Sequence, residues 1–239
     1  MKTQAVILFL LFATVSFSCS NSVEYSKEFK EQTSGKYLYN PDELIEVYYK
    51  EDKLFLNWKG GEIKPVSLAQ NEFFVPDMYN KFRFVQHPKT KERYLSIIDE
   101  DDEKKITYDY IKVSKDYKTP SQHLAAGNYE KALSGYLEIK KQDSTSSYIR
   151  EKDFNSIGYQ HLRKNEYEKA IAVFKLNVEL HPTSDNVYDS LAEAYLRSGD
   201  SLQAYNNYKI ALEINPRNPR AEQYVDAFKA KGKVESLPK

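Results

Sequence analysis

Cysteine is nearly absent. Cys19 is the single one in the chain, and it lies in the N-terminal processing zone. The folded part therefore has no intramolecular disulfide and no Cys-based zinc site. Neither sign of charge is in excess, since 35 Lys and Arg balance 35 Asp and Glu. Lys and Tyr are interleaved with Asp and Glu along both halves, no basic face emerges, and nucleic acid is not an expected partner. The one long apolar run, Ala5 to Phe17, is too short to cross a bilayer core of about 30 Å as a helix. Histidine is scarce at four, with no His-Glu-x-x-His and no i, i+4 pair, so no metal centre is expected. His87 and His181 precede prolines, and His123 and His161 carry no motif; all four read as structural. The nucleophile motif Gly-x-Ser-x-Gly is missing too, and Ser-x-x-Lys is missing before the last four residues. Gly60-Gly61 is followed by no Lys-Ser/Thr and reads as a hairpin turn, not a phosphate loop. These absences argue against an enzyme, and no cofactor is implied.

The N-terminus has the order of an export signal: Lys2, then the apolar run, then Ser16-Phe17-Ser18-Cys19-Ser20. Small residues before a cysteine resemble a bacterial lipobox, although Ser16 stands where an aliphatic is usual. That resemblance implies a lipoprotein-type signal region over residues 1–19, cut before Cys19, which is then the lipidated first residue of the mature chain. Cleavage after Ser20 and an uncleaved anchor are the alternatives. Either processed form places the protein in a bacterial cell envelope, and the lipidated form puts it on a membrane facing the periplasm. Residues 20–33 are polar and charged and read as a tether.

Hydrophobic residues make up 41% and charged residues 29%, a globular composition. From 34 to 113 the pattern is β. Ile45, Val47 and Tyr49 alternate with polar neighbours. Runs at 54–58, 63–66, 73–75, 82–85, 94–98 and 106–113 are separated by turn residues. Seven or eight antiparallel strands in a meander or small barrel are expected, a closure that hides sheet edges. The aromatic stripe Phe55, Trp58, Phe73, Phe74, Phe82 and Phe84 has two readings, packed interior or lining of an apolar-ligand cavity. The acidic run 99–103 lacks the Gly and Glu of a calcium loop at the required places and reads as a solvated turn.

After a polar linker at 114–120 the period changes to about 3.6. Ala170 and Ala204 stand 34 residues apart. One unit, 151–184, carries Phe154, Ile157-Gly158, Ala170, Phe174 and Pro182. The next, 185–218, carries Tyr188, Leu191-Ala192, Tyr195, Ala204, Tyr208, Ala211 and Pro216. These residues, in this order, resemble the tetratricopeptide repeat. Small residues let the two helices of each hairpin approach, large ones fill the space between hairpins, and proline marks the turn. His161 and Asn177 depart from the pattern, which leaves the seam at Asn177 looser or locally hydrogen-bonded. A partial unit at 121–150 repeats Gly127-Asn128-Tyr129-Glu130-Lys131-Ala132 with a short first helix. At 219–232, Ala221, Tyr224, Val225 and Phe228 form one apolar face and suggest a capping helix. The expected class is α+β in separate domains: an N-terminal β meander or barrel, then an α-helical superhelical array.

The stretch Tyr37 to Ile97 also resembles the small β domain behind serine β-lactamase-like hydrolases, some of which end in tetratricopeptide repeats. The catalytic domain is missing here. The repeat family binds partners in a groove lined by the first helix of each hairpin. By register that groove takes Asn155, Tyr159 and Leu162 from one unit and Asp189, Glu193 and Leu196 from the next, with Arg163 and Arg197 at its edge. Asp189 and Glu193 would repel a terminal carboxylate, so the two-carboxylate clamp of some relatives is disfavoured and a Lys- or Arg-bearing segment is expected. The function expected is an envelope-anchored module holding a protein or peptide. The alternatives are an accessory to a hydrolase acting in trans, or binding of a small apolar ligand in the β domain.

Overall fold

The computed structural model describes residues 23–235; the signal segment and Cys19 lie outside them. Nine antiparallel strands are present: β1 (Gly35–Asn40), β2 (Glu43–Lys50), β3 (Lys53–Trp58), β4 (Gly61–Ile63), β5 (Val66–Ala69), β6 (Glu72–Val75), β7 (Asn80–Gln86), β8 (Arg93–Ile97) and β9 (Tyr110–Val113). They form one sheet in the order β4-β3-β2-β1-β9-β8-β7-β6-β5. Its two edges, β4 and β5, are consecutive in sequence, with only Lys64 and Pro65 between them. Eight strand spacings would separate the edges of a flat sheet by about 38 Å. Three Cα steps reach about 11 Å at most. The sheet is therefore forced to curl, and it forms an antiparallel half-barrel.

Alternation sends one face inward. Tyr37, Ile45, Val47, Leu54, Leu56, Phe73, Phe82, Phe84 and Leu95 are buried in a single core. Tight two-residue turns hold the register: Glu51 and Asp52 both take positive φ, as do Lys59 and Gly60, the geometry that matches strand twist in hairpins. The aromatic stripe divides. Phe73 stacks on Phe82 and tilts against Phe84 inside the core, whereas Phe55 stacks on Tyr48 and Phe74 meets Tyr79 elsewhere. It is packing, not one cavity wall.

Three sequence expectations are corrected. Part of the segment read as a tether is a helix, α1 (Lys27–Thr33). Phe29 and Thr33, one turn apart, share one side of it, and together with Tyr25, which precedes the N-cap Ser26, they seal the core. Phe29 packs edge-on to Phe84, Tyr37 Oη donates to Thr33 O at 2.9 Å, and Tyr25 Oη lies 2.8 Å from Ser67 Oγ. Within the run 63–66 the strand breaks at Lys64-Pro65, where the chain crosses from one sheet edge to the other. Of the run 106–113, only Tyr110–Val113 is strand. Before it, side chains replace the ladder: Asp109 Oδ2 accepts from Ile97 N at 2.7 Å, and Thr107 Oγ1 pairs with Ser96 Oγ at 2.9 Å.

Seven helices follow: α2 (Pro120–Ala125), α3 (Tyr129–Gln142), α4 (Glu151–Arg163), α5 (Tyr167–Leu180), α6 (Asp185–Ser198), α7 (Ser201–Ile214) and α8 (Pro219–Glu235). Among the described residues, no helix is long and apolar enough to cross a membrane. Hairpins α4–α5 and α6–α7 close on small residues. A Cβ on Gly158 would stand 2.4 Å from Phe174 Cε1, and Ala170, Ala192 and Ala204 are fully buried. α2 is short but firmly started. Thr119 forms a reciprocal capping box with Gln122, and proline opens the first turn. Asn177, fully buried, donates to Glu151 O at 3.1 Å and to Asn155 Oδ1 at 3.0 Å, while its own Oδ1 finds no partner among the described residues. The seam there is hydrogen-bonded.

Candidate functional site

The first helices of the hairpins, α4 and α6, lie side by side with α8 beyond. Side chains from all three meet on one wall. On α4, Tyr159 sets its ring edge-on to buried Phe174, centroids 5.2 Å apart. Its hydroxyl donates to Glu193 Oε2 at 3.1 Å and lies 3.3 Å from Ser190 Oγ on α6. Burial raises the Tyr159 pKa, so the phenol stays protonated. The ring is thus fixed from behind and at its tip, while the residue remains partly exposed.

Asp189 and Glu193 sit one turn apart on α6. Neither is open to an incoming cation. Arg220 Nη1, on α8, donates to Asp189 Oδ2 at 3.1 Å and to Glu193 Oε2 at 2.6 Å. Asn218 Nδ2 adds a longer contact to Asp189 Oδ1 at 3.3 Å, and Arg197 Nη2 donates to Glu193 Oε1 at 2.5 Å. Asp189 is only 8% exposed. Burial lifts its carboxyl above the ordinary range, against the pull of Arg220. Burial alone would lower the Arg220 pKa, but Asp189, Tyr159 and Glu193 hold it above its usual value, so the guanidinium is charged. The two carboxylates expected to receive a basic segment are instead neutralised by the chain itself.

The other expected groove residues divide. Leu162 is 1% exposed and packs with Ala170, Phe174, Leu191 and Ala194; it belongs to the core, and its assignment to the groove is corrected. Asn155 is tied to Asn177. Leu196, at 38% exposure, and Arg163 and Arg197 are on the surface. Arg220 and Asn218 were not anticipated. A signal for Arg220 exists in the register, because Lys152, Asn186 and Arg220 occupy the same place in successive units, 34 residues apart. Asn186 likewise reaches back one unit, donating to Glu151 Oε1 at 2.7 Å.

The histidines take up ordinary contacts where they are paired. His161 Nδ1 meets Glu166 Oε2 at 2.6 Å, His181 Nε2 meets Ile149 O at 2.8 Å, and His87 Nδ1 accepts from Thr90 N at 3.1 Å. Lys169 and His161 together pull Glu166 down to about 2. Among the described residues, no three metal-ligating side chains gather.

No known family profile matches the chain. A stretch of 81 residues, 34% of the chain, is 28% identical to the chloroplastic tetratricopeptide repeat domain-containing protein PYG7 of Arabidopsis thaliana. That stretch is 27% of the relative, so the chain spans about a quarter of its length. Three solved structures are similar at a TM-score of 0.33 each. The first tetratricopeptide domain of Spaghetti (RPAP3), bound to an HSP90 peptide, is 18% identical over 49% of this chain and 88% of that one. The Yersinia enterocolitica secretion chaperone SycD, with a peptide of the translocator YopD, is 18% identical over 47% and 88%. MamA is 21% identical over 47% and 64%. The helical half has a tetratricopeptide-like fold, carried by its 34-residue spacing, its small-residue hairpins and the plant relative.

Proposed function

We propose that the protein is a binding module, not an enzyme, that holds a protein or peptide segment on the wall of α4 and α6. We further propose that lipid on Cys19 keeps it in a bacterial cell envelope. The observation that carries the binding role is Tyr159, a large aromatic held in one orientation by Phe174, Ser190 and Glu193. A pre-ordered aromatic gives up little entropy on contact, and such residues dominate contact energies. Asp189 now reads as a structural residue, and recognition falls to Tyr159, Leu196 and the surface arginines.

The test is quantitative capture after mild crosslinking in membranes. Tyr159→Ala should lose most of the captured partner, while Tyr159→Phe, which keeps the ring, should retain most of it. A folded Tyr159→Ala that captures the same proteins at wild-type strength removes this wall from consideration. A serine hydrolase as the dominant captured species would favour the accessory role in trans. Metabolic labelling with a fatty acid tests the anchor, because Cys19→Ser should lose the label and leave the membrane fraction.

A further inference from the structure

The outer side of the sheet carries an apolar patch at one edge. β5 is an edge strand, paired only with β6 among the described residues. Val66 and Leu68 on it are 52% and 48% exposed. Val66 stands opposite Phe74 of β6 in the register. Phe73 is buried in the core, so alternation puts Phe74 on the outer face. The chain then turns through Pro76–Met78 into Tyr79, whose ring meets Phe74 edge-on at 6.1 Å and is otherwise open, the residue being 83% exposed. Tyr79 holds a φ of 50°, a left-handed conformation that a residue with a side chain adopts at a cost. Val66, Leu68, Phe74 and Tyr79 together make an apolar surface on an edge strand, a hazard unless something covers it.

Two observations choose the cover. The N-terminal approach of the chain lies at this edge: Tyr25 Oη is 2.8 Å from Ser67 Oγ, and Ser67 stands between Val66 and Leu68. Cys19 is six residues before Tyr25, a reach of at most about 22 Å. Lipid on Cys19 therefore keeps this edge close to a bilayer. The charges around the patch also cancel. Arg83 pairs with Glu72 at 2.9 Å and Lys81 with Glu103 at 3.4 Å, while exposed Lys64, Asp77 and Glu100 are mixed in sign. Among the described residues no basic field is there to draw anionic headgroups or an acidic partner. Four side chains are few for a stable protein interface, which takes about 800 Å² from each partner. Insertion into lipid needs no such area, because the tether supplies a high effective concentration. Tyrosine suits the headgroup level, with its ring in apolar surroundings and its hydroxyl wet.

We propose that this patch rests in a lipid surface. Val66, Leu68 and Phe74 enter the apolar boundary, and Tyr79 sits at the headgroups of the membrane that carries the anchor. The proposal rests on the reading of Cys19 as a lipid anchor. Docking fixes the β half against the bilayer, so the chain is held in one orientation and does not swing on a free tether.

The test is site-directed spin labelling of the lipidated full chain in vesicles of phosphatidylethanolamine and phosphatidylglycerol. Lipid on Cys19 blocks its thiol, so a cysteine placed elsewhere takes the label alone. Leu68→Cys and Tyr79→Cys report on the patch. Leu202→Cys, on α7 and also exposed, is the reference. The two patch labels should lose most of their collisions with a water-soluble nickel relaxant and gain collisions with oxygen, which concentrates in lipid; the reference label should do neither. The difference should persist in high salt, which screens charge attraction, and in vesicles of phosphatidylcholine alone. Val66→Asp added to Tyr79→Cys should return that label to water while the chain stays bound through Cys19. Patch labels as open to nickel as the reference, on a chain that carries fatty acid and sediments with vesicles, overturn the docking and leave the anchor standing. A Cys19 without fatty acid overturns both. Protection from nickel without the gain in oxygen means that a second copy or another protein covers the patch, and it overturns lipid as the occupant.

Discussion

Replacing Gly158 with alanine sets two effects of known size against each other. Alanine is the better helix former by about 0.8–1 kcal/mol, so the backbone of α4 gains. The new Cβ, however, would stand 2.4 Å from Cε1 and 2.5 Å from Cζ of Phe174, closer than carbon atoms approach. Phe174 has little room to yield. It is fully buried, it carries the Tyr159 ring against its edge, and Leu162, Ala170 and Leu191 close around it. Overpacking of this kind costs about 1–3 kcal/mol. The steric effect is the larger, and the net expectation is a loss of about 1 kcal/mol, or roughly 2–4 °C in unfolding midpoint for a chain of this size. Urea unfolding followed by far-UV circular dichroism measures it. Phe174→Leu removes the ring atoms in the way, so Gly158→Ala should cost about 1 kcal/mol less in that background than in the wild type. A Gly158→Ala protein as stable as the wild type, with no coupling to Phe174→Leu, would refute the close approach of α4 and α5.

Arg220→Ala strands two carboxylates. Breaking a fully buried pair costs about 3–5 kcal/mol and an exposed one about 0–1. The Asp189 side chain is 11% exposed and that of Arg220 55%, so about 1–2 kcal/mol is expected between those limits. Amide exchange should speed up in α8, and unchanged exchange and stability would mean the contact is idle. Asp42 gives a pH signature. Burial raises its carboxyl above 3.8, against hydrogen bonds from Ser121, Thr119 and Tyr136, so the folded state holds that proton more tightly than the unfolded one. Its contribution is therefore largest below the unfolded value and is lost as pH rises through the raised folded value. Asp42→Asn removes this slope while keeping an acceptor for Ser121 N. The variant should gain stability relative to the wild type as pH rises from about 4 through the raised folded value, and urea profiles that stay parallel as pH rises would contradict the assignment.

What could be read in advance follows from what is local. The spacing of Gly158, Ala170, Ala192 and Ala204 reports helix contacts within one hairpin, and such contacts leave a period in the sequence. The alternation at Ile45 and Val47 reports one buried face in the same way. Arg220 was missed because its partners lie 27 and 31 residues away, and nothing local says where the superhelix will bring α8. α1 was missed because two aromatics in a charged background look like a tether until the core they seal is known. The place of β9 between β1 and β8 is a non-local pairing. The groove residues were chosen by register, which places Cα atoms but not side-chain partners. Leu162 could therefore fall inside and Asp189 could be taken up by an arginine.

An array of two full repeats has little to spare at its ends, because each hairpin is stabilised mainly by its neighbours. Both ends here are closed by elements that are not repeats. At the C-terminal end α8 buries Ala221 and Val225 against α7 and stacks Phe228 on Tyr205, and its Arg220 locks onto α6. At the N-terminal end the closure comes from the β half. Asp42 Oδ1 accepts from Ser121 N at 2.8 Å, inside the first turn of α2, where a helix has an unmatched N–H. A carboxylate there is also favoured by the helix dipole. Tyr136 Oη reaches the other Asp42 oxygen at 3.5 Å, and Lys36 Nζ donates to Tyr117 O at 3.1 Å. The half-barrel thus holds the short first hairpin, which is too small to hold itself. Tyr159 sits on the helix between these two closures, where the array is least free to fray, and a wall that must present one aromatic in one orientation is best placed there.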